Sequence, residues 1–257
     1  MRTEAAFTEA VEAAGLSLRP VAPADADGWV TVSRLVDQHD STLTDWIDLI
    51  MDKRSVQDRT VATMLGWKAG SYLASLLPLV TWARFDVVPD AHVHNLAVQI
   101  PGDPAVSFAM REYRLRESRG SVDDVVDVWW DGLIAPLLER WRQEARLGRR
   151  ALEAFAVSHA VTIIGGVIDD LDDAHARIDT FVSALPTRLR PMAKVMEYQA
   201  ADAPWKALGE RTSCCLAYKV PEGGYCVTCN LLDDDERTAL ADKHGASWRR
   251  PVPAEIR

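Results

Sequence analysis

The chain has 257 residues, 48% of them hydrophobic and 26% charged, and its formal net charge is −9. This balance is that of an ordinary globular protein, and no segment reaches the roughly 20 apolar residues that a membrane-spanning helix needs. The 29 basic residues are dispersed and outnumbered by 38 acidic ones, which argues against a nucleic-acid partner and favours a neutral or cationic ligand over a polyanion.

The first thirty residues predict a short helix over 4–14, ended by Gly15, and then a loop that contains prolines. Glu4 and Glu9 stand where a secretory signal would carry its apolar stretch. We therefore expect a cytoplasmic protein. In that compartment thiols stay reduced and structural disulfides are rare.

Two helices are predicted next. Over 41–55, Ser41 and Thr42 are suitable N-caps, and the apolar residues that follow recur at helical intervals. Over 58–77, the pattern is again helical, and it is rich in glycine and alanine. Small residues allow the backbone of this second helix to approach a neighbour closely.

The pattern changes between Leu79 and Ile100. Alternating apolar residues on either side of Pro89-Asp90 predict two strands joined by a turn, and 105–116 predicts a third strand. His92 and His94 alternate along the second strand, so both would face the same side. No third ligand accompanies them, and two exposed histidines beside a turn are a simpler interpretation than half a metal site.

From Ser121 onwards the chain returns to helix. Ser121 is a good N-cap, and the helix that follows should kink at Pro136. Further helices are predicted over Leu152–Ile164, where His159 lies on the apolar face as a core histidine, and over Asp170–Leu185. These elements predict an α+β fold, mainly helical with a small antiparallel sheet.

Two acidic runs do not indicate a metal site, and two common catalytic motifs do not occur in the sequence. The runs at 169–173 and 233–236 lack the spacing of a calcium loop and are typical of helix starts and solvated surface. The chain contains no Gly-x-Gly-x-x-Gly dinucleotide motif and no Gly-x-Ser-x-Gly elbow. A protein that takes hydride directly from NAD(P)H is therefore not expected.

All four cysteines lie within sixteen residues, in the pattern Cys-Cys-x10-Cys-x2-Cys: Cys214, Cys215, Cys226 and Cys229. Disulfides would be out of place in a reducing compartment, and neighbouring cysteines bridge only with strain. Structural zinc takes four thiolates, but vicinal cysteines diverge and do not form a second Cys-x-x-Cys pair. A [2Fe–2S] cluster spreads four thiolates over two iron atoms and tolerates unusual spacing, so the pattern favours it over the other two.

At these residues the chain resembles the siderophore-iron reductases of the FhuF-like family, whose hallmark is this cysteine pattern near the C-terminal end. Arg211 before the cysteine pair, Tyr218-Lys219 after it and the Pro/Gly-rich turn before the third cysteine also fit. Lys219 stands where arginine is more usual, which keeps the charge but changes the donor geometry. The 28 residues after the last cysteine also depart from the pattern, since relatives commonly end sooner.

The resemblance implies that the four cysteines hold a [2Fe–2S] cluster and that the protein passes one electron to the Fe(III) of a ferric siderophore, either a hydroxamate or a catecholate. Such hard oxygen ligands hold Fe(II) far more weakly than Fe(III), so Fe(II) would be released. The electron would come from an external donor protein of the ferredoxin or flavodoxin type. Two rival functions remain: a non-catalytic iron–sulfur sensor or binding protein, and an interaction module stapled by zinc.

The expected organisation has three parts: a siderophore-binding body over 1–204, a C-terminal iron–sulfur cluster segment over 205–232 and a tail over 233–257. No catalytic residue is expected beyond the cluster itself. The residues that we expect to tune the cluster or contact the substrate are Arg211, Lys219, Tyr218 and Trp205.

Overall fold

The computed structural model describes residues 17–19, 29–99, 107–110, 115–117, 121–221 and 223–251. The predicted helix over 4–14 lies outside these residues. The described helices are α1 (Val32–Val36), α2 (Thr42–Lys53), α3 (Arg59–Phe85), α4 (Val122–Val126), α5 (Ala135–Glu144), α6 (Arg149–Val167), α7 (Leu171–Ala184) and α8 (Asp234–Lys243). The described strands are β1 (Ser17–Arg19), β2 (Trp29–Thr31), β3 (Val87–Pro89), β4 (Leu96–Gln99), β5 (Ser107–Met110), β6 (Leu115–Glu117), β7 (Lys194–Gln199), β8 (Lys206–Glu210) and β9 (Ser247–Arg249).

The strands of the described residues form three small sheets. Their orders are β1-β5-β4-β2, β3-β6 and β8-β7-β9. Their pairings are antiparallel, apart from β1 with β5, which is parallel. The predicted α+β fold, mainly helical with small antiparallel sheet, is confirmed.

The prediction of two paired strands between Leu79 and Ile100 is wrong in its first half, because α3 continues through Pro78 to Phe85. Residues 76–82 are all buried, and a run that is apolar on every side does not distinguish a buried helix from a buried strand. The helix ends where Asp86 adopts a left-handed backbone with φ of 54°. The two strands that follow pair elsewhere, β3 with β6 and β4 with β2 and β5.

The single strand predicted over 105–116 is instead two strands, β5 and β6, which belong to different sheets. His92 and His94 precede β4 in a turn rather than lying on the strand, with their ring centroids 6.1 Å apart. Among the described residues, no group of three or more His, Cys, Asp or Glu side chains is placed to hold a metal ion. His92 is half-buried and His94 is exposed.

The helix predicted from Ser121 contains a π-helical stretch, Asp127–Ile134, between α4 and α5. The irregularity thus lies before Pro136 rather than at it. A prolyl ring in a helix crowds the carbonyl four residues earlier, which here belongs to Gly132. That carbonyl accepts a hydrogen bond from the Val93 N–H at 3.2 Å, so widening the helix leaves it satisfied.

Helix α6 lies at the centre of the fold, between α3 and the third sheet. Trp67 on α3 donates its indole N–H to the Leu152 carbonyl at 2.9 Å, and His159 is buried with Nδ1 3.1 Å from Ser71 Oγ. The predicted core histidine is therefore confirmed. By length and composition α6 could cross a membrane, but 72% of its apolar window is buried inside the protein, as in the core helix of a globular fold.

Two glycines allow α6 to lie directly against β8. A Cβ atom on Gly165 would lie 2.2 Å from the Ala207 carbonyl oxygen, and one on Gly209 would lie 2.1 Å from the Ser158 carbonyl oxygen. Ser158 Oγ donates to the Gly209 carbonyl at 3.0 Å, and the Gly209 N–H donates to Thr162 Oγ1 at 3.0 Å. The outer edge of β8 is thus bonded to side chains of a helix.

This contact gives a prediction with an adjacent control. We expect Gly165→Ala to lower the free energy of unfolding by about 1–3 kcal/mol, because the added methyl group would overlap backbone that cannot move aside easily. Gly166→Ala, one residue further on, should raise it by about 0.5–1 kcal/mol, since alanine is the better helix former and no atom lies within 4 Å of the new methyl group. Urea denaturation of both variants tests the pair; equal effects would show that the close approach is wrong.

Candidate functional site

The residues from Arg211 to Cys229, hereafter the cysteine segment, begin where β8 ends. Helix α6 anchors the start of this segment at two points. Ser213 Oγ donates to the Ala151 carbonyl at 2.9 Å, and the Arg211 guanidinium lies over the Phe155 ring, 5.2 Å from its centroid. The direction in which the segment leaves the sheet is therefore set by α6, a largely buried helix.

The cysteine segment folds back on itself. The Arg211 N–H donates to the Thr228 carbonyl at 3.1 Å, and the Cys229 N–H donates to the Cys226 carbonyl at 2.8 Å in a tight turn. A second turn needs Gly223, because a Cβ atom there would lie 2.1 Å from the Ala217 carbonyl oxygen. These bonds bring the Cys-x-x-Cys pair beside the vicinal pair.

Leu216 follows the two neighbouring cysteines and helps to orient the side chain of Cys214. Its backbone is left-handed, with φ of 58°, a conformation that costs a branched residue about 1–2 kcal/mol. In return, its N–H points at Cys214 Sγ at 3.3 Å. Local strain of this kind persists where the surroundings impose it and is concentrated at functional sites.

All four cysteines are free thiols in the structure. Arg211 Nη1 lies 2.8 Å from Cys226 Sγ and 3.4 Å from Cys215 Sγ. Burial raises the pKa of the Cys229 thiol; the Leu231 N–H opposes this, and the charges of the other three cysteines raise it further. The Arg211 guanidinium thus lies against two of the four sulfur atoms.

The donor set fits a [2Fe–2S] cluster. Such a cluster takes four cysteine thiolates, two on each iron, and the segment supplies four free cysteines. In addition, Thr212 Oγ1 is buried and has no hydrogen-bond partner among the described residues.

A cavity of about 800 Å³ adjoins the cysteine segment. Side chains of α2 and α3 form one wall, α6 supplies the floor with Ser158, His159 and Thr162, and the cysteine segment forms the opposite wall with Arg211. Leu49 and Tyr72 are exposed at its rim. The volume is within the usual range for small-molecule sites, about 300–1,000 Å³.

Comparison with known proteins identifies the cysteine segment. Residues 211–229 match the family model described as the FhuF 2Fe-2S C-terminal domain. The segment is a FhuF 2Fe-2S domain. Its cofactor is therefore a [2Fe–2S] cluster, and the predicted relationship to the FhuF-like family is confirmed.

Other comparisons add little to the FhuF match. No curated protein matches the chain. Among solved structures, aerobactin synthetase IucC from a hypervirulent pathotype of Klebsiella pneumoniae is similar with a TM-score of 0.43 and 13% sequence identity. That similarity covers 67% of this chain and 39% of the synthetase chain, so the matched region spans about two fifths of the synthetase.

The other expected site residues are Tyr218, Lys219 and Trp205. Tyr218 and Lys219 are on an exposed turn, where the Tyr218 ring stacks on Tyr225 at 5.5 Å. Trp205 packs under Arg249, whose guanidinium lies 4.3 Å from the ring centroid, and it does not line the cavity. Of the four candidates, Arg211 alone contacts cysteine sulfur within the described residues.

Sequence reasoning missed the contribution of α8, which begins with a capping box formed by Asp233 and Glu236. Arg237 on this helix is fully buried and pairs with Glu210 at 2.9 Å. Its other amino group donates to the Cys229 carbonyl at 3.1 Å. The helix after the FhuF domain therefore holds the backbone of the last cysteine in place. The only sequence signal was the capping pattern, which predicts a helix start and nothing about its contacts.

Proposed function

We propose that this protein is a ferric-siderophore reductase, with Cys214, Cys215, Cys226 and Cys229 as the ligands of the cluster and the cavity as the substrate site. The observation that carries the proposal is the position of Arg211, which contacts two cysteine sulfur atoms and also lines the cavity. When bound, a [2Fe–2S] cluster supplies one electron at a time, and one electron converts the Fe(III) of a chelate to weakly held Fe(II).

The chain's own residues would bind and orient the chelate. Lys68 and Tyr72 on α3 face the cavity from one side, and Arg211 faces it from the other. Arg211 also keeps positive charge against the Cys215 and Cys226 sulfur atoms, which favours added negative charge there. Lys68 and Tyr72 belong to the body over 1–204 that we expect to bind the siderophore, whereas Arg211 belongs to the cluster segment.

The proposal includes an external one-electron donor protein of the ferredoxin or flavodoxin type and a cytoplasmic location. The absence of a dinucleotide-binding glycine motif from the sequence supports the first. The burial of α6, the described helix most suited in composition to a membrane, is consistent with the second. A ferric siderophore that has entered the cell would encounter both the protein and its electron donor in the cytoplasm.

The decisive experiment mixes the reduced holo-protein with a ferric siderophore and a ferrous trap, without oxygen. We expect the visible spectrum to return to that of the oxidised cluster, with one Fe(II) trapped for each electron lost. The gallium(III) complex of the same siderophore is the control, because Ga(III) has no accessible reduced state and should leave the reduced spectrum unchanged. A reduced spectrum that persists with every ferric siderophore would reject the reductase and favour a sensor.

Arg211 and Lys219, the two cationic residues expected to tune the cluster, should differ in their effect on its midpoint potential. Arg211→Gln should lower the midpoint potential of the cluster, because it removes a charge held 2.8 Å from Cys226 Sγ. Lys219→Gln should leave the potential near that of the wild type, since Lys219 is exposed on its turn and its charge is screened by water. Redox titration followed by visible absorption measures both. A larger shift for Lys219→Gln would contradict the assigned contact.

A further inference from the structure

A second concave surface, with a volume of about 600 Å³, adjoins the cysteine segment on the side away from the cavity. We call it the basic groove. Its described lining includes five cationic residues, Arg150, Lys194, Arg211, Arg237 and Arg250. It also includes three acidic residues, Glu210, Asp233 and Asp234. Cations therefore outnumber carboxylates in the groove, although the chain as a whole has a formal charge of −9.

The basic groove and the cavity open on opposite faces of β8. Successive residues of a strand point to opposite faces, and here Gly209 lines the cavity whereas Glu210 lines the groove. Arg211, which follows them, lines both. Its guanidinium contacts the sulfur atoms of Cys215 and Cys226. The cysteine segment therefore lies between the groove and the cavity.

The three carboxylates of the groove already have partners within the chain. Glu210 pairs with Arg237 at 2.9 Å and with Arg250 at 3.5 Å. Asp234 pairs with Arg250 at 2.8 Å. The side chain of Asp233 caps the first turn of α8. These acidic groups and the two arginines that they hold account for one another.

Arg150 and Lys194 have no such partner. Both are exposed, and neither forms an ion pair with a carboxylate of the described residues. Arg150 is the second residue of α6, whose first turn contains no acidic residue. The start of a helix is the positive end of its dipole, so an arginine there does not stabilise the helix. The two side chains present their charge to a molecule outside the chain.

The donor in the proposed reaction brings negative charge to its contact. A [2Fe–2S] cluster held by four thiolates is negative, and so is the phosphate of a flavin mononucleotide. The cluster of this protein is negative as well, so the two redox groups repel each other unless cations lie between them. Arg211 is such a cation, and Arg150 and Lys194 add exposed positive charge in the same groove.

On the basis of the proposed function, which includes an external donor, we propose that the basic groove is the docking surface for an acidic one-electron donor protein. The donor is oxidised by one electron and the cluster is reduced by one, and no bond forms or breaks. Opposite charges steer such encounters and orient the partners, even where the interface is small and short-lived. Because the electron enters from the groove, a chelate in the cavity does not obstruct the donor.

Rapid mixing of oxidised holo-protein with a reduced carrier, without oxygen, tests this docking surface. The probes are a reduced [2Fe–2S] ferredoxin and a flavodoxin hydroquinone, both of them acidic proteins. Electron paramagnetic resonance of rapidly frozen samples gives the rate constant for reduction of the cluster. We expect the rate constant to fall as salt is raised, because added ions screen the attraction. It should be unchanged when the gallium(III) complex of a reducible siderophore is present.

Reversal of single charges locates the contact. Arg150→Glu and Lys194→Glu should each lower the rate constant about threefold, and the double variant should lower it at least about tenfold. Lys243→Glu is the matched control, since Lys243 is exposed at the far end of α8 and outside the groove. This control should stay within about twofold of the wild type. All the variants should keep the wild-type midpoint potential and the wild-type rate of reoxidation by a ferric siderophore.

Four results would overturn the assignment of the groove. The first is an equal loss of rate in Lys194→Glu and Lys243→Glu, and the second is a wild-type rate that is negligible or independent of salt with both carriers. A gallium(III) complex that blocks reduction by the carrier would place the donor at the cavity instead. Saturable inhibition by inorganic phosphate at constant ionic strength would make the groove a site for small anions.

None of these results would be confused with failure of the reductase. That failure would appear when chemically reduced holo-protein, in the absence of any carrier, is not reoxidised by a ferric siderophore. If this reoxidation is intact and the charge reversals in the groove have no effect, the reductase stands and the docking surface is wrong.

Discussion

Serine at any one of Cys214, Cys215, Cys226 or Cys229 is expected to abolish stable binding of the [2Fe–2S] cluster. Each iron takes two of the four thiolates, so the loss of one leaves an iron with an incomplete set of ligands. Protein purified without oxygen should lose its visible absorption, and its iron and acid-labile sulfide per chain should fall to near zero. Release of trapped Fe(II) from a ferric siderophore should be lost with them.

The control for this series lies inside the same turn. Val227→Thr changes a residue between Cys226 and Cys229 without altering a ligand, and threonine has nearly the shape of valine. This variant should keep iron and sulfide at the level of the wild type. Full iron and sulfide content in any one of the four serine variants would show that its cysteine is not a ligand.

Replacing Arg237 with methionine should lower the free energy of unfolding of the holo-protein by about 3–5 kcal/mol, since it leaves the Glu210 carboxylate with the exposed Arg250 in place of a buried ion-pair partner. The Arg237 side chain is 2% exposed, and its partner Glu210 is 11% exposed. The change also removes the donor to the Cys229 carbonyl. Urea denaturation and the rate of cluster loss to a chelator, both without oxygen, should show lower stability and faster loss.

The same carboxylate offers a control for Arg237. Arg250 also pairs with Glu210, at 3.5 Å, but its side chain is 57% exposed, so Arg250→Gln should cost no more than about 1 kcal/mol. Adding Glu210→Gln to Arg237→Met should restore part of the stability, because the carboxylate that has lost its buried partner is then replaced by a neutral amide. If the double variant is no more stable than Arg237→Met alone, the buried ion pair is not the source of the effect.

The sequence predicts the long helices and the [2Fe–2S] cofactor well, for physical reasons. Helices such as α2 and α7 carry clear apolar periodicity and an acidic residue near the start, Asp40 or Asp170, that accepts hydrogen bonds from the first turn. The four cysteines are close together in the sequence, so their metal-binding chemistry can be inferred without knowledge of the fold. Extension of α3 through Pro78 was not predictable, because complete burial removes the periodicity that identifies a helix.

The sheet β8-β7-β9, beside the FhuF domain, was not predicted because its strands lack the sequence pattern that usually identifies a strand. Strand β7 contains Glu197, which is buried between His175 and Arg249, and a buried carboxylate interrupts the alternation of apolar and polar residues. Strand β8 presents Ala207 and Gly209 to α6, where nothing larger fits, so the β-branched residues typical of strands are absent. The cavity was not predictable either, since Lys53, Lys68 and Arg211 meet only through tertiary packing.

One consequence follows from the position of α6, which supports Arg211 and Ser213 at one end of its length and the cavity floor further along. A bound chelate and the sulfur atoms would rest on a single rigid rod, so thermal motion would carry both redox partners together and their separation would vary little. Electron transfer would then not wait for a lid to close, as it does in enzymes gated by loops. Turnover would be limited instead by the arrival of the reduced donor or by the departure of Fe(II).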